Sequence, residues 1–158
     1  MVYDFKSRRI MYGLTLFFIA LSGFAQMPIF KRYYIADIPG LGWLAQFFVT
    51  HAIHYALAAL LIGFCAYVAL DYYFARKNSG TKKFQITEDT RISASAWVKI
   101  AALCGLIITG CFMVVKNLSG IYFSHGVVIG LDLLHLIFCM VLLGATAYTW
   151  VRSRSWIF

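Results

Sequence analysis

Four long apolar stretches, bounded by polar or charged residues, divide this chain. The first runs from Ile10 to Phe30 without a charge, and the second from Trp43 to Leu70 with His51 and His54 as its ionisable groups. The third, Ile92 to Val115, carries Lys99 near its start, where a lysine is expected to snorkel towards lipid headgroups. The fourth, from about Ile121 to Val151, contains His125, Asp132 and His135. A spanning helix takes roughly 20 mostly apolar residues, and each stretch is long enough to cross with some tilt. Barrel strands would be shorter and alternating. The pattern therefore predicts an all-α fold, an integral membrane four-helix bundle, with 1–158 as one transmembrane domain. The polar segment Lys77–Arg91 is too short to carry a fold of its own, and no internal repeat or low-complexity tract stands out. Lys6, Arg8 and Arg9 before an apolar run, with Ala20-Leu21-Ser22 beyond, resemble a signal peptide. Because the run continues through Phe24 and Ala25 towards Phe30, it reads as a retained helix.

Composition points the same way. Hydrophobic residues make up 62% of the chain and charged ones 13%, against about half and about a quarter in soluble domains. Lipid is the solvent that can accommodate the excess. The net charge of +8 does not mark a nucleic-acid binder, because the basic residues flank spans. The N-terminal segment (Lys6, Arg8, Arg9), the middle link (Arg76, Lys77, Lys82, Lys83, Arg91, with Lys99 at its edge) and the tail (Arg152, Arg154) hold 11 of them, against Lys31, Arg32 and Lys116 elsewhere. The positive-inside rule then places both termini and the 71–91 loop in the cytoplasm, with the loops near 31–42 and 116–124 outside. A multi-pass protein of a bacterial cytoplasmic membrane is expected. Cys65, Cys104, Cys111 and Cys139 lie in apolar runs without C-x-x-C or C-x-x-C-H spacing, which argues against covalent haem or an iron–sulfur cluster held by this chain alone.

The chemistry lies in the histidines. Ionisable residues inside a membrane are costly and mark function, and all four histidines fall in or beside a span. Neutral imidazole is a common axial ligand of haem iron. At about 1.5 Å per residue, His54 lies roughly 12 Å into the second span and His135 roughly 16 Å into the fourth. Both spans run from outside to inside, so the two rings can meet at similar depth on one haem b. His51 shares a helix face with His54 but differs from it in height by only about 4.5 Å. That is too little for a second haem from the same face, and hydrogen bonding at the haem edge or to a propionate is the role expected of it. His125 sits about 15 Å above His135, at the outer interface. Asp132, three residues before His135, should be paired or protonated at such depth. It could orient a ring, serve a quinone proton path, or bond a neighbouring helix. The plain alternative for each histidine is a hydrogen-bonded packing residue. Gly63, Gly105, Gly110 and Gly144 would let helices, or a flat macrocycle, come close.

Several strings carry a family resemblance. Arg9-Ile10-Met11-Tyr12 with Ala20-Leu21-Ser22-Gly23, His51-Ala52-Ile53-His54, and Leu133-Leu134-His135 resemble the first, second and fourth spans of the four-helix cytochrome b subunits of membrane formate dehydrogenases and nickel–iron hydrogenases. The likeness extends over nearly the whole chain. It implies an outer haem held by His54 and His135, with His51 where some members carry a basic residue against a propionate. It also implies an inner haem, whose ligands would fall at Met11 and Thr149. Threonine is not a usual iron ligand, so the inner haem is expected to be absent. That unsettles the quinone chemistry the family places beside it, and a quinone beside the remaining haem is the alternative.

The expected function is electron transfer. One haem b would exchange electrons with an extracytoplasmic partner, an iron–sulfur or multihaem cytochrome c subunit, and with a membrane quinone, menaquinone or ubiquinone. The chain holds no domain able to oxidise a substrate, so it reads as one subunit of an oxidoreductase complex. Two rival readings are a haem-free membrane anchor and a stand-alone quinone or metal reductase. A carrier or channel fits less well, since the spans lack polar lining and an inverted repeat.

Overall fold

A computed structural model of the chain describes residues 2–27, 37–79 and 94–152. Lys31, Arg32, Lys82, Lys83, Arg91 and Arg154, which enter the orientation argument, lie outside these residues. Among the described residues there are four long helices and no strands: α1 Val2–Ala25, α2 Phe47–Ser79, α3 Ala94–Val115 and α4 His125–Val151. Each contains a segment long and apolar enough to cross a membrane: Ser7–Ala25, Phe47–Phe74, Ala94–Val115 and His125–Val151. The all-α expectation and the four spans hold.

The boundaries shift in places. Trp43 to Ala45 belong to a short 3₁₀ helix, Gly42–Ala45, so α2 starts only at Phe47. There Thr50, fully buried, returns its hydroxyl to the carbonyls of Phe47 and Gln46. The C-terminal end of α2 runs nine residues past the expected Leu70, to Ser79. At the fourth span, Gly120 turns the chain at φ 88°. Ser124 is extended and its carbonyl accepts the first helical bond, from Val128. The helix therefore begins at His125, and Ile121 to Phe123 are not part of it.

The chain divides into two compact units, 1–85 and 86–158. In the first, α1 packs antiparallel to α2. Ser22 meets His54 near the loop, Tyr12 meets Phe64 midway with ring centroids 6.3 Å apart, and Arg8 meets Tyr67 and Asp71 at the far end. The packed face of α1 includes Tyr12, Thr15 and Leu16, three and four residues apart, and one to two turns further on Ser22 and Ala25, three apart. In the second unit α3 packs antiparallel to α4. Ala96, Lys99, Ala102 and Thr109 are buried against Leu142, Thr146 and Thr149.

Small residues set the closeness of this second pair. A Cβ built on Gly105 would fall 2.7 Å from the Phe138 ring, so the glycine is the space the phenyl occupies. Large apolar side chains elsewhere point outward, among them Phe17, Phe48, Leu60, Ile108, Leu133 and Ile137. That is the outside of a protein whose solvent is lipid.

Gly105→Ala is expected to force Phe138 aside and destabilise the second hairpin by about 1–3 kcal/mol. Gly63→Ala, where a Cβ meets nothing within 4 Å, should be neutral or slightly stabilising. Thermal unfolding of both variants in detergent micelles would check the contrast.

Candidate functional site

The two central histidines lie at corresponding places in the two hairpins. His54 is the eighth residue of α2 and His135 the eleventh of α4. Each ring is half-buried against the preceding helix of its own hairpin. In the first hairpin, Nδ1 of His54 lies 3.1 Å from the Ile19 carbonyl oxygen and 3.1 Å from Ser22 Oγ. A carbonyl can only accept, so Nδ1 carries the proton. Ser22 Oγ spends its own proton on the Ile19 carbonyl at 3.0 Å and accepts from the ring. In the second hairpin, Nδ1 of His135 lies 2.8 Å from Thr109 Oγ1. That hydroxyl donates to the Gly105 carbonyl at 2.8 Å and leans towards that of Leu106 at 3.2 Å. Its lone pair is left for the ring's N–H. The Ile19 carbonyl sets His54 as the Nδ1–H tautomer, with the basic lone pair on Nε2, and the same tautomer at His135 is the one that matches a Thr109 hydroxyl donating to Gly105.

Glycine makes room beside both rings. A Cβ on Gly23 would come 3.1 Å from Cε1 of His54, and one on Gly110 would come 3.6 Å from Cε1 of His135. The sequence reading singled out Gly110 as a close-approach glycine, and it approaches a histidine of its own hairpin. Gly63 and Gly144 have nothing within 4 Å of an added Cβ.

His51 lies one turn before His54. Gln26 donates from Nε2 to the Ser22 carbonyl at 3.2 Å, which turns its Oε1 towards α2, and His51 Nδ1 donates to that oxygen at 3.1 Å. The ring is stacked on Phe47 at 5.2 Å and tilted against Tyr55 at 4.3 Å. Asp132 lies one turn before His135 and is paired: Lys116 Nζ donates to its Oδ1 at 3.0 Å. Of the roles open to this carboxylate, the hydrogen bond to a neighbouring helix is present, and the Nδ1 partner of His135 is Thr109. His125, the first residue of α4, is exposed. None of the four cysteines is in a disulfide; Cys65 and Cys139 are half-buried, and Cys104 and Cys111 exposed. Among the described residues no three His, Cys, Asp or Glu side chains gather into a metal-holding group.

The ends of the hairpins away from their connecting loops are polar in ways the sequence did not announce. Arg8 donates from Nη1 to Asp71 at 2.7 Å and from Nη2 to the Tyr67 hydroxyl at 2.9 Å. Lys99 does not snorkel. It is 7% exposed, and its Nζ donates to Thr149 Oγ1 at 3.3 Å. The small Ala96 and Ala102 on either side leave it room, and Thr149, whose own proton goes to the Thr146 carbonyl at 2.8 Å, offers a lone pair. Thr149 is 1% exposed, whereas Met11 is 52% exposed.

Ser22, Gln26, Thr109 and Lys116 were missed as partners of the candidate residues. The signal available was a hydroxyl residue directly before glycine in an apolar run, at Ser22-Gly23 and Thr109-Gly110. Comparison of the chain with protein-family models, curated proteins and solved structures finds no match.

The Lys116–Asp132 pair should be detectable as an energetic coupling. A double-mutant cycle of Lys116→Met and Asp132→Asn, read by unfolding in micelles, is expected to give about 0.5–3 kcal/mol of interaction. Additive single effects would show that the two charges act separately.

Proposed function

We propose that the chain is a membrane-embedded haem b subunit of a respiratory complex, in which His54 and His135 hold one iron and electrons pass between an extracytoplasmic redox partner and a membrane quinone. The observation that carries this reading is the shared state of the two rings: each gives its Nδ1–H to the neighbouring helix, which leaves Nε2 as the coordinating nitrogen. Bound haem b supplies a reversible one-electron carrier. The residues supply orientation and tuning. The hydrogen bonds to Ile19, Ser22 and Thr109 hold each ring's rotation and raise the basicity of the opposite nitrogen.

His51, held by Gln26, is the candidate donor to a haem edge or propionate. Asp132, its carboxylate half-exposed beside Lys116, is the candidate proton acceptor for a quinol. Thr149, enclosed and bonded by Lys99, is poorly suited to ligate an inner haem, which supports the single-haem version. The resemblance to the cytochrome b subunits of formate dehydrogenases and hydrogenases points to a bacterial cytoplasmic membrane, to cytoplasmic termini and to an iron–sulfur or multihaem partner outside.

A reduced-minus-oxidised spectrum of the purified chain with a pyridine haemochrome count is the direct test. One b-type haem per chain is expected, lost in His54→Ala and in His135→Ala and retained in His125→Ala. Two haems per chain would reject the single-haem version. A chain that purifies without a b-type band while its complex still transfers electrons would leave the haem-free anchor.

A further inference from the structure

The two hairpins share more than a histidine. One constant offset along the chain carries His54, Leu61, Gly63, Ala66 and Tyr67 of α2 onto His135, Leu142, Gly144, Ala147 and Tyr148 of α4. Both helices therefore read His-x6-Leu-x-Gly-x2-Ala-Tyr. A second offset carries Leu16, Ser22 and Gly23 of α1 onto Leu103, Thr109 and Gly110 of α3, giving Leu-x5-Ser/Thr-Gly.

The correspondence extends to structure. The buried residues Tyr12, Thr15 and Ser22 map onto the buried Lys99, Ala102 and Thr109, and buried Leu61 maps onto buried Leu142. The glycine after each hydroxyl faces the same atom, Cε1, of its histidine. The ionisable residue one turn before each histidine, His51 or Asp132, is bonded to the residue just past the end of the partner helix, Gln26 or Lys116.

The differences are also regular. Ser22 is the fourth residue from the end of α1 and Thr109 the seventh from the end of α3, while His54 is eighth in α2 and His135 eleventh in α4. On both of its helices the second hairpin is longer by the same three residues at the connected end. The hydroxyl–histidine pair keeps its register while the helices beyond it grow by about one turn.

We infer that the chain is a tandem repeat of one histidine hairpin, in which Ser22 and Thr109 are equivalent positioning residues, each holding the Nδ1 edge of its histidine so that Nε2 is the metal-facing nitrogen. The role towards a metal rests on the haem reading above, whereas the repeat and the tautomers do not. A hydroxyl is suited to this position because it can return its proton to its own helix at the i−3 or i−4 carbonyl and still accept from the ring. Alanine would remove the acceptor. At His135 this removes the bond assigned to Nδ1–H, and at His54 it leaves the Ile19 carbonyl as the sole acceptor.

The test uses the full-length protein in lipid nanodiscs with 15N-labelled histidine. Without haem, solid-state NMR should show a protonated Nδ1 and a pyridine-type Nε2 for both His54 and His135. Ser22→Ala should perturb the His54 signals alone and Thr109→Ala the His135 signals alone, while Ser22→Thr and Thr109→Ser should preserve the wild-type pattern. On haem titration Thr109→Ala should lose about 10–100-fold in affinity and Ser22→Ala less, because the Ile19 carbonyl still holds His54, with the two conservative exchanges near wild type. A wild type carrying its proton on Nε2 of either ring, or alanine variants that leave both the NMR pattern and the affinity unchanged, would overturn the inference. A wild type that shows the expected tautomers and takes up no haem would sink the cytochrome reading and leave the repeated hairpin standing.

Discussion

Apolar helices in lipid gain little from hiding their side chains against one another, because the acyl chains are as apolar as leucine. What holds a pair together is close packing and polar bonds formed away from water. In this protein the decisive bond of each hairpin joins a hydroxyl on the first helix to an imidazole on the second. It fixes where the helices meet along their length, which side of each faces the other, and which nitrogen of the ring is basic. The remaining polar contacts follow the register it sets. Gln26–His51 and Arg8 with Tyr67 and Asp71 extend the first hairpin. Lys116–Asp132 and Lys99–Thr149 extend the second.

The same bond links folding to chemistry. A histidine whose Nδ1–H is committed to its own hairpin has a defined rotation, a defined tautomer and a more basic Nε2. The side chains a packing role requires and those a metal ligand requires are therefore the same, and packing and ligation need not compete. Gly23 and Gly110 complete the arrangement, since a Cβ at either position would press on the ring or touch it.

Polarity at the ends away from the connecting loops follows a different logic. Lys99 enters the second hairpin because alanines flank it and because Thr149 returns its own proton to the helix, leaving an acceptor within reach. This lysine and the enclosed threonine give that end of the hairpin a closed, hydrogen-bonded interior. The first hairpin reaches a comparable result with an arginine, a tyrosine and an aspartate at its end. Asp71 was passed over in the sequence because it lies just beyond the apolar run, and only the continuation of α2 to Ser79 brings it opposite Arg8.

The sequence by itself determined the helices, their number and their fitness for lipid, because run length and the near absence of charge are local properties that the bilayer imposes residue by residue. It also singled out His51, His54, Asp132 and His135, since an ionisable group in an apolar run is conspicuous in one dimension. The partners of these groups were decided only by tertiary structure. Ser22, Gln26 and Thr109 are unremarkable in the string, and what they do depends on which helix face lies opposite. The repeat was hidden for the same reason. Its equivalent residues are spaced along the helices and interrupted by connections of unequal length, so the likeness does not lie in any continuous stretch of letters.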